Sequence, residues 1–153
     1  MPATLNMPDF SNTLLTKLKI MVESYSAVTG NRLLDDPTPI RLWHAPCVIV
    51  AHGTEAEPVF FYGNRMALEL FEMDFAHFTR LPSRHSAEPV ERQERARLLE
   101  QVSRDGFIDN YAGVRISATG KRFRIEQAVV WNLVDGNGGL HGQAATFDRW
   151  RPI

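Results

Sequence analysis

The stretch VFFYGNRMALELFEMDF, Val59 to Phe75, contains a strand signal and a helix signal on either side of one junction. It opens with four apolar residues, breaks at Gly63-Asn64, and resumes with apolar residues three and four positions apart. Asparagine is a favoured helix N-cap because its side-chain oxygen accepts from the free amides of the first turn. The junction therefore predicts a strand over Val59 to Tyr62 and a helix capped by Asn64. A ligand contact is the alternative role for Asn64.

Before this junction, apolar residues recur at intervals of three and four and predict an amphipathic helix of about 18 residues. They are Phe10, Leu14, Leu18, Met21, Val22, Tyr25 and Val28. Asp9 or Ser11 caps its start, and Gly30 supplies its stop. Residues 35–41, with two prolines and two acids, are predicted to be a linker without helix or central strand. The run from Cys47 to Ala51 is predicted to be a buried strand.

After the junction, the pattern predicts one longer helix and then three antiparallel strands. The helix runs from Pro89 to Arg104, and Glu91 and Arg95 form an i,i+4 pair on it. The strands are Phe107 to Ser117, Arg122 to Val134 and Leu140 to Phe147. Strict alternation in the second strand predicts one inward face composed of Phe123, Ile125, Gln127, Val129, Trp131 and Leu133.

This order predicts an α+β domain with one antiparallel sheet of about five strands. Short helices cover the inner face of the sheet, and an extra N-terminal helix precedes it. We divide the chain into a tail with its amphipathic helix, residues 1–34, and a main domain, residues 42–150.

Three segments carry a resemblance to a known fold. YGNRMALELF is similar to the strand-Asn-helix segment of PAS domains, RISATGKRFRI to a PAS hairpin, and LVDGNGGLHGQAATF to the final PAS hairpin. Three longer stretches resemble the MEKHLA domain. They are APCVIVAHGTEAEPVFFYGNRMALELFEMDF, LPSRHSAEPVERQERARLL and GFIDNYAGVRISATGKRFRIEQAVVWNLVD. That PAS-like family occurs as small bacterial proteins and at the C-terminal end of certain plant homeodomain transcription factors. The resemblance covers residues 24–150 and implies a PAS-like fold that senses or binds something.

Composition narrows the class of protein. The net charge of −1 gives no sign of nucleic-acid binding driven by counterion release. A single cysteine, Cys47, excludes an internal disulfide and a cysteine-built zinc site. No apolar run approaches the roughly 20 residues needed to cross a bilayer, and the N-terminus lacks signal-peptide character. We expect a cytoplasmic protein without nucleic-acid or membrane partners.

The PAS resemblance implies a pocket between the sheet and the helices. We predict its wall from the residues expected on the inner face of the sheet and on the helices that cover it. Gln127 is the expected hydrogen-bonding group, because a buried amide must find a partner or cost roughly 1–3 kcal/mol. The other predicted ligand-binding residues are Trp131, Phe123, Phe71, Met73, Phe75, Gln143 and Asn64. A structural hydrogen bond is the alternative for Gln127, and core packing is the alternative for Trp131. Such a lining favours a small, largely apolar molecule.

Coloured cofactors and metals are not expected. None of the five histidines lies in the Pro89 to Arg104 helix, where PAS haem proteins usually carry the iron ligand, and none shows metal-ligand spacing. The Asn-Cys-Arg-Phe motif of flavin photoreceptors is absent. In the loop LPSRHSAEP, Arg84 either pairs with an acid or helps a helix N-terminus bind an anion.

Three functions compete at this point. The first is a sensory, ligand-binding domain that signals through association with an unidentified partner. The second is a small pocket enzyme of the cone-shaped α+β type with Asp or His as a general base, which a buried carboxylate of raised pKa would favour. The third is a ligand-free dimerisation module. We also expect a homodimer through the Ser11–Thr29 helix, because an unpaired apolar stripe of about five turns would leave a large exposed patch.

Overall fold

The computed structural model describes residues 5–87 and 89–153, without the side chains of 89–91 and 94. The helices are α1 Asn12–Thr29, α2 Pro39–Trp43, α3 Arg65–Phe71, α4 Phe75–Phe78 and α5 Pro89–Asp105, with a short 3-10 helix at Ser83–Ser86. The strands are β1 Val48–His52, β2 Phe60–Gly63, β3 Phe107–Ile116, β4 Arg122–Val134, β5 Leu140–Phe147 and β6 Arg149–Pro152. The predicted α+β class with one antiparallel sheet is confirmed. Within these ranges, no helix is both long and apolar enough to span a membrane.

All pairings in the sheet are antiparallel, in the order β2-β1-β5-β4-β3. Strand β4 changes partner along its length. Its second half, from Val129, pairs with β5, whereas its first half, Phe123 to Glu126, pairs with β6. Helices α3 to α5 and the 3-10 helix cover one face, here called the inner face, and α1 covers the other, the outer face.

Helix α1 begins and ends where the sequence predicts. Ser11 accepts a hydrogen bond from the amide of Leu14, and Gly30 takes the left-handed conformation with φ of 74°. The apolar side of the helix lies on the outer face of the same domain, where Leu18 and Met21 are buried beside Trp131. The stripe is therefore covered within one chain. The argument that it needs a second copy is wrong.

A bulge in β4 reverses the predicted faces. Gln127 is exposed and has a φ of 52°. Ile125 pairs with Gly113 and Ala128 pairs with Tyr111, so β4 has one residue more than β3 between the two pairs. One extra residue turns every following side chain to the opposite face. Phe123 and Ile125 face inward as predicted, but the next inward residues are Ala128 and Val130, while Trp131 and Leu133 lie in the outer-face cluster. The inward assignments of Gln127, Val129, Trp131 and Leu133 are wrong.

The backbone of Gln127 gives a direct test of this bulge. A non-glycine residue at φ of 52° is strained, and a β-branched residue is more strained still. We expect Gln127→Gly to be neutral or to stabilise the fold by up to about 1 kcal/mol, and Gln127→Val to destabilise it by about 1–2 kcal/mol. Urea unfolding of the two variants measures the difference. Equal stability of both would mean that residue 127 lies in ordinary extended backbone.

Asn64 caps α3 and joins it to two other segments. Its Oδ1 accepts from the amides of Ala67 and Ile49, each at 3.1 Å. Its Nδ2 donates to the carbonyls of Leu42 at 3.1 Å and Cys47 at 2.8 Å. The predicted cap is confirmed, and the completely buried side chain also ties the end of α2 and the start of β1 to the junction.

One prediction about an irregular segment is wrong, and one strand lies outside the predicted elements. The 35–41 linker ends in a helix, α2, because Thr38 accepts from the amide of Arg41 and Pro39 occupies the first turn, where proline is tolerated. The closing segment DRWRPI contains a further strand, β6, which extends the sheet past the bulge at Gln127. Both elements are shorter than the windows over which periodicity is informative.

The β4–β5 hairpin is held by Asp135. Its carboxylate accepts from the amides of Asn137 at 2.8 Å and Gly139 at 2.9 Å, and it lies 2.6 Å from the Nε2 atom of His141. The contact with His141, followed by these amides, lowers the pKa of Asp135 to about 2.

This pKa predicts an acid-dependent contribution to stability. Because the folded pKa of Asp135 lies below the unfolded value of about 3.9, its contribution is complete above that value and is lost as pH falls toward 2. We expect Asp135→Asn to flatten the acid limb of the stability–pH profile between about pH 4 and 2. Denaturant titrations of both proteins at several pH values measure this. Parallel profiles would contradict the assignment.

Candidate functional site

A cavity lies between the inner face of the sheet and the helices above it. Its volume is about 60 Å³. A single water needs roughly 10–15 Å³ of such a space, so the cavity suits a small molecule of a few non-hydrogen atoms. Its apolar wall consists of Val50, Ala51, Phe60, Phe71, Leu99, Ile125, Val130, Ala144, Ala145 and Phe147, and its polar wall of His52, Ser86, Arg95, Tyr111, Arg115 and Gln143.

Arg115 is the most buried charged group of this wall. Residues 111, 113 and 115 of β3 alternate onto the inner face, and Arg115 is only 7% exposed. Its guanidinium donates to the carbonyl of Val114 at 2.8 Å and to the hydroxyl of Tyr111. Gly113 lies between them, and a Cβ there would come within 3.0 Å of the Tyr111 hydroxyl. The absence of a side chain at Gly113 lets the phenol and the guanidinium meet along the strand.

Arg95 adds a second positive charge from α5. It is half-buried and lines the same cavity as Arg115. Burial, and next the positive charge of Arg115, lower the pKa of Arg95 to about 10. The side chain therefore remains charged at neutral pH. The predicted pairing of Arg95 with Glu91 lies outside the described side chains.

His52 closes the cavity at the end of β1. Its Nδ1 atom lies 3.0 Å from the carbonyl oxygen of Gly53. Burial lowers the pKa of His52 below its ordinary value, and the charge of Arg95 acts in the same direction. At neutral pH the ring is uncharged, so Nδ1 donates to Gly53 and Nε2 is left as an acceptor. The positive charge of the polar wall comes from the two arginines.

Gln143 belongs to a polar network under α5. It lies opposite Asn132 in the β4–β5 pairing, and its Nε2 donates to Oδ1 of Asn132 at 2.9 Å and to Ser103 Oγ at 3.3 Å. Asn132 in turn donates to the carbonyl of Val102 at 3.1 Å. These bonds attach the end of α5 to the sheet, and they leave the side-chain oxygen of Gln143 free for the cavity among the described residues.

The cavity continues into a shallower groove beside α5. The groove has a volume of about 360 Å³ and shares His52, Arg95, Leu99 and Gln143 with the cavity. Glu55, Glu100 and Ser103 lie along its rim. Arg95 therefore lies at the boundary between the inner cavity and the groove along α5.

The structure brings together only two of the predicted ligand-binding residues, Phe71 and Gln143, in the cavity wall. Phe123 packs edge-on against Phe71, with ring centroids 5.4 Å apart, without lining the cavity.

The other predicted residues lie elsewhere. Met73 and Phe75 pack at the edge of the core, and Asn64 is committed to its four hydrogen bonds. Trp131 lies under α1 on the outer face, and Gln127 is exposed at the bulge.

Sequence reasoning missed the polar wall. The sequence analysis predicts Arg95 only as the helix partner of Glu91, and Arg115 only as part of a strand without a face assignment. The available signal was the alternation Tyr111-x-Gly113-x-Arg115, which puts a phenol, a gap and a guanidinium on one face of β3.

Of the two roles expected for Arg84, the structure shows the pairing with an acid. Its Nε lies 2.5 Å from a carboxylate oxygen of Glu57.

The described residues contain no group of three or more His, Cys, Asp or Glu side chains that would hold a metal ion. Within the same ranges, no Asp or Glu lines the inner cavity. The chemistry available there is that of two cations and of neutral hydrogen-bond donors and acceptors over an apolar floor.

Comparison with solved structures places the fold. The PAS domain of a Colwellia psychrerythraea protein matches with a TM-score of 0.62 at 13% identity, covering 74% of this chain and 92% of that one. The light-state dimer of the fungal blue-light photoreceptor Vivid matches with a TM-score of 0.62 at 11% identity, covering 94% of this chain and 98% of that one. A light-oxygen-voltage domain studied with a flavin analogue gives a TM-score of 0.61. At these identities the likeness shows the fold alone.

Comparison with known sequences identifies the family. Homeobox-leucine zipper protein ATHB-9 of Arabidopsis thaliana is 26% identical over 159 residues, which is 97% of this chain and 19% of that protein. HOX29 of Oryza sativa subsp. indica is 27% identical over 110 residues, 71% of this chain and 13% of that protein. The chain thus spans less than a fifth of the length of these relatives. The sequence model of the MEKHLA domain matches residues 15–152, and the chain belongs to the MEKHLA domain family, with a PAS-like fold.

Proposed function

We propose that this chain is a PAS-like sensory domain that binds a small molecule in the inner cavity and signals through association with another protein. The observation that carries the proposal is the cavity itself, in which polar groups from β1, β3, β5 and α5 converge over an apolar floor. A few convergent polar groups in a mostly apolar cavity are typical of small-molecule sites. The family and the sensory character of PAS-like domains agree with this role.

The proposed ligand is small and largely apolar, with hydrogen-bonding groups at one end. The aromatic and aliphatic wall supports the apolar part. Ligand cavities are commonly about 300–1,000 Å³, so a space of about 60 Å³ favours a short or single-ring molecule over a three-ring flavin or a haem. We expect the protein to purify without a visible chromophore, and an absorption spectrum from about 300 to 700 nm checks this.

We assign the chain a binding role rather than a catalytic one. The enzyme hypothesis requires Asp or His as a general base in the pocket. Among the described residues the cavity wall contains no carboxylate that would favour it, and its histidine is His52, whose Nδ1 lies 3.0 Å from the carbonyl oxygen of Gly53. The proposal keeps a cytoplasmic location and assigns no nucleic-acid contact to this chain.

Homodimerisation through α1 is the second part of the proposal. Although the apolar side of α1 lies on its own sheet, Leu15 of this helix remains 38% exposed. The PAS-like photoreceptor Vivid was crystallised as a dimer. We expect Leu15→Lys to lower the mass measured by light scattering at constant folded content, with Thr13→Lys on the same helix as control. A monomeric wild type, or a dimer unaffected by Leu15→Lys, would contradict this part.

The binding role is tested by a thermal-shift screen of small molecules against two matched variants. Ala145 lines the cavity, so Ala145→Leu places three more carbon atoms in it. Ala112→Leu makes the same change on a residue that alternates with Tyr111 and Gly113 and faces the other side of β3. We expect molecules that raise the melting temperature of wild type to do so with Ala112→Leu but not with Ala145→Leu. Equal stabilisation of all three proteins would overturn the proposal.

A further inference from the structure

The inner cavity contains two arginines and, among the described residues, no acid. Arg115 is 7% exposed and Arg95 half-buried, and both side chains line the same small space. An arginine cannot lose its charge at physiological pH. A buried cation is normally found with a paired anion, because removing a charge from water is costly unless an opposite charge compensates it. Among the described residues, the cavity wall itself therefore offers no negative partner for its arginines, and Glu55 and Glu100 line the outer groove that Arg95 shares.

The acceptors among the described residues also do not fill the hydrogen-bonding capacity of Arg115. A guanidinium carries five N–H donors, and two bonds of Arg115 are accounted for, to the carbonyl of Val114 and the hydroxyl of Tyr111. The remaining donors meet no acceptor within the described part of the chain. The Tyr111 bond fixes the orientation of the guanidinium at the cavity wall, so the group is prepared for a planar, two-oxygen acceptor.

We propose that the inner cavity binds a small organic carboxylate, whose two oxygens contact Arg115 and Arg95 and whose apolar part lies against the opposite wall. This inference rests on the proposed ligand-binding function and specifies its ligand class. The apolar wall includes Phe71, Val130 and Phe147, and the described part of it has no further charged group for a second anionic end. The ligand is therefore a monocarboxylate. An inorganic oxyanion such as phosphate would leave that wall without a partner.

The roles of the neighbouring residues follow from this arrangement. Tyr111 and Gly113 are positioning residues: the first holds the guanidinium, and the second provides the space in which they meet. The side-chain oxygen of Gln143 and the Nε2 atom of His52 are acceptors and would disfavour a carboxylate placed near them. They direct the charged end toward β3 and α5.

The test compares carboxylates with their neutral amides on the full chain. Acetate, propionate, butyrate and benzoate are titrated by thermal shift and calorimetry against acetamide, propionamide, butyramide and benzamide, with inorganic phosphate as a further anion. We expect at least one carboxylate to bind, its amide to bind at least about tenfold more weakly, and phosphate to have no effect. Arg115→Gln should weaken the carboxylate by about 10- to 100-fold, the range for one lost charged hydrogen-bond partner.

Control variants separate a local effect from a general loss of charge. Arg104→Gln changes an exposed arginine of the same helix α5, paired with Asp105 at 3.4 Å, and should leave the affinity unchanged. Tyr111→Phe removes only the hydroxyl that orients Arg115 and should weaken binding by a smaller factor, about threefold to tenfold. If Arg115→Gln does not fold, the Nε–Hε NMR signals of the arginines in wild type provide the readout, and butyrate should shift two of them while butyramide shifts none.

Each result supports or overturns the inference. Equal binding of an acid and its amide, wild-type affinity in Arg115→Gln, or Arg115-dependent binding of phosphate alone would overturn it. A third outcome is that neutral molecules bind, that Ala145→Leu abolishes their binding, and that Arg115→Gln leaves it unchanged. In that case the carboxylate inference fails and the proposed function stands. If no molecule of either kind is sensitive to Ala145→Leu, the proposed function fails as well.

Discussion

Replacing Trp131 by alanine is expected to lower the free energy of unfolding by about 3–5 kcal/mol. The indole is completely buried on the outer face under α1. It packs edge-on against Tyr25, with ring centroids 4.8 Å apart, and its Nε1 donates to the carbonyl of Met21 at 3.2 Å. The substitution removes a large apolar side chain and leaves a buried backbone carbonyl without this donor, so α1 loses its main attachment to the sheet.

Two variants make this result specific to α1. Trp150→Ala changes a tryptophan of β6 that is only partly buried and packs against Phe147, so we expect a clearly smaller loss. Trp131→Phe keeps a ring in place and removes the N–H, which should cost about 1 kcal/mol. Urea denaturation followed by circular dichroism measures all three. A Trp131→Ala loss no larger than that of Trp150→Ala would contradict the packing of α1 on this sheet.

Replacing Asn64 by alanine is expected to cost about 3–5 kcal/mol, well beyond the effect of an ordinary helix cap. The side chain makes four hydrogen bonds in a fully buried position, to α3, β1 and the two carbonyls of Leu42 and Cys47. Each buried group left without a partner costs about 1–3 kcal/mol, and these costs are only partly additive.

The matched control is Asp74, the N-cap of α4. Its carboxylate accepts from the amide of His77 at 2.8 Å, and its side chain is 57% exposed. Asp74→Ala should therefore cost only about 1 kcal/mol. Chemical denaturation of the two variants gives the comparison. If Asn64→Ala costs no more than Asp74→Ala, Asn64 is a cap without a joining role.

The parts of the fold that depend on local sequence were predictable. The cap at Asn64, the start of α1 at Ser11 and its end at Gly30 each involve residues within one helical turn, and the structure confirms all three. The long helix and the last three predicted strands also have clear periodicity. What the sequence did not show was which face of the sheet α1 covers, because that depends on contacts between residues more than 100 positions apart, such as Met21 and Trp131.

The site was predicted poorly for one main physical reason. A bulge has no periodicity of its own, and the one at Gln127 is set by pairing: β4 leaves β5 and joins β6 at this point. Alternation carried through the bulge places Trp131 and Gln127 on the wrong face. The second reason is that arginine is almost never fully buried without a partner, so an inward Arg115 contradicts the usual expectation for a charged residue. Positions that break such a rule are expected to be functional or strained, which is why Arg115 enters the binding proposal.

The most direct measurement of the central claim is a methyl NMR titration of wild type with the molecules that raise its melting temperature. Methyl groups of the cavity wall, in Val50, Leu99 and Val130, should shift with saturation, whereas those of Leu18, Leu42 and Leu133 on the outer face should stay unchanged. That result would place the ligand between the sheet and α5. Saturable shifts confined to the outer-face methyl groups, with the cavity methyl groups unchanged, would contradict the account.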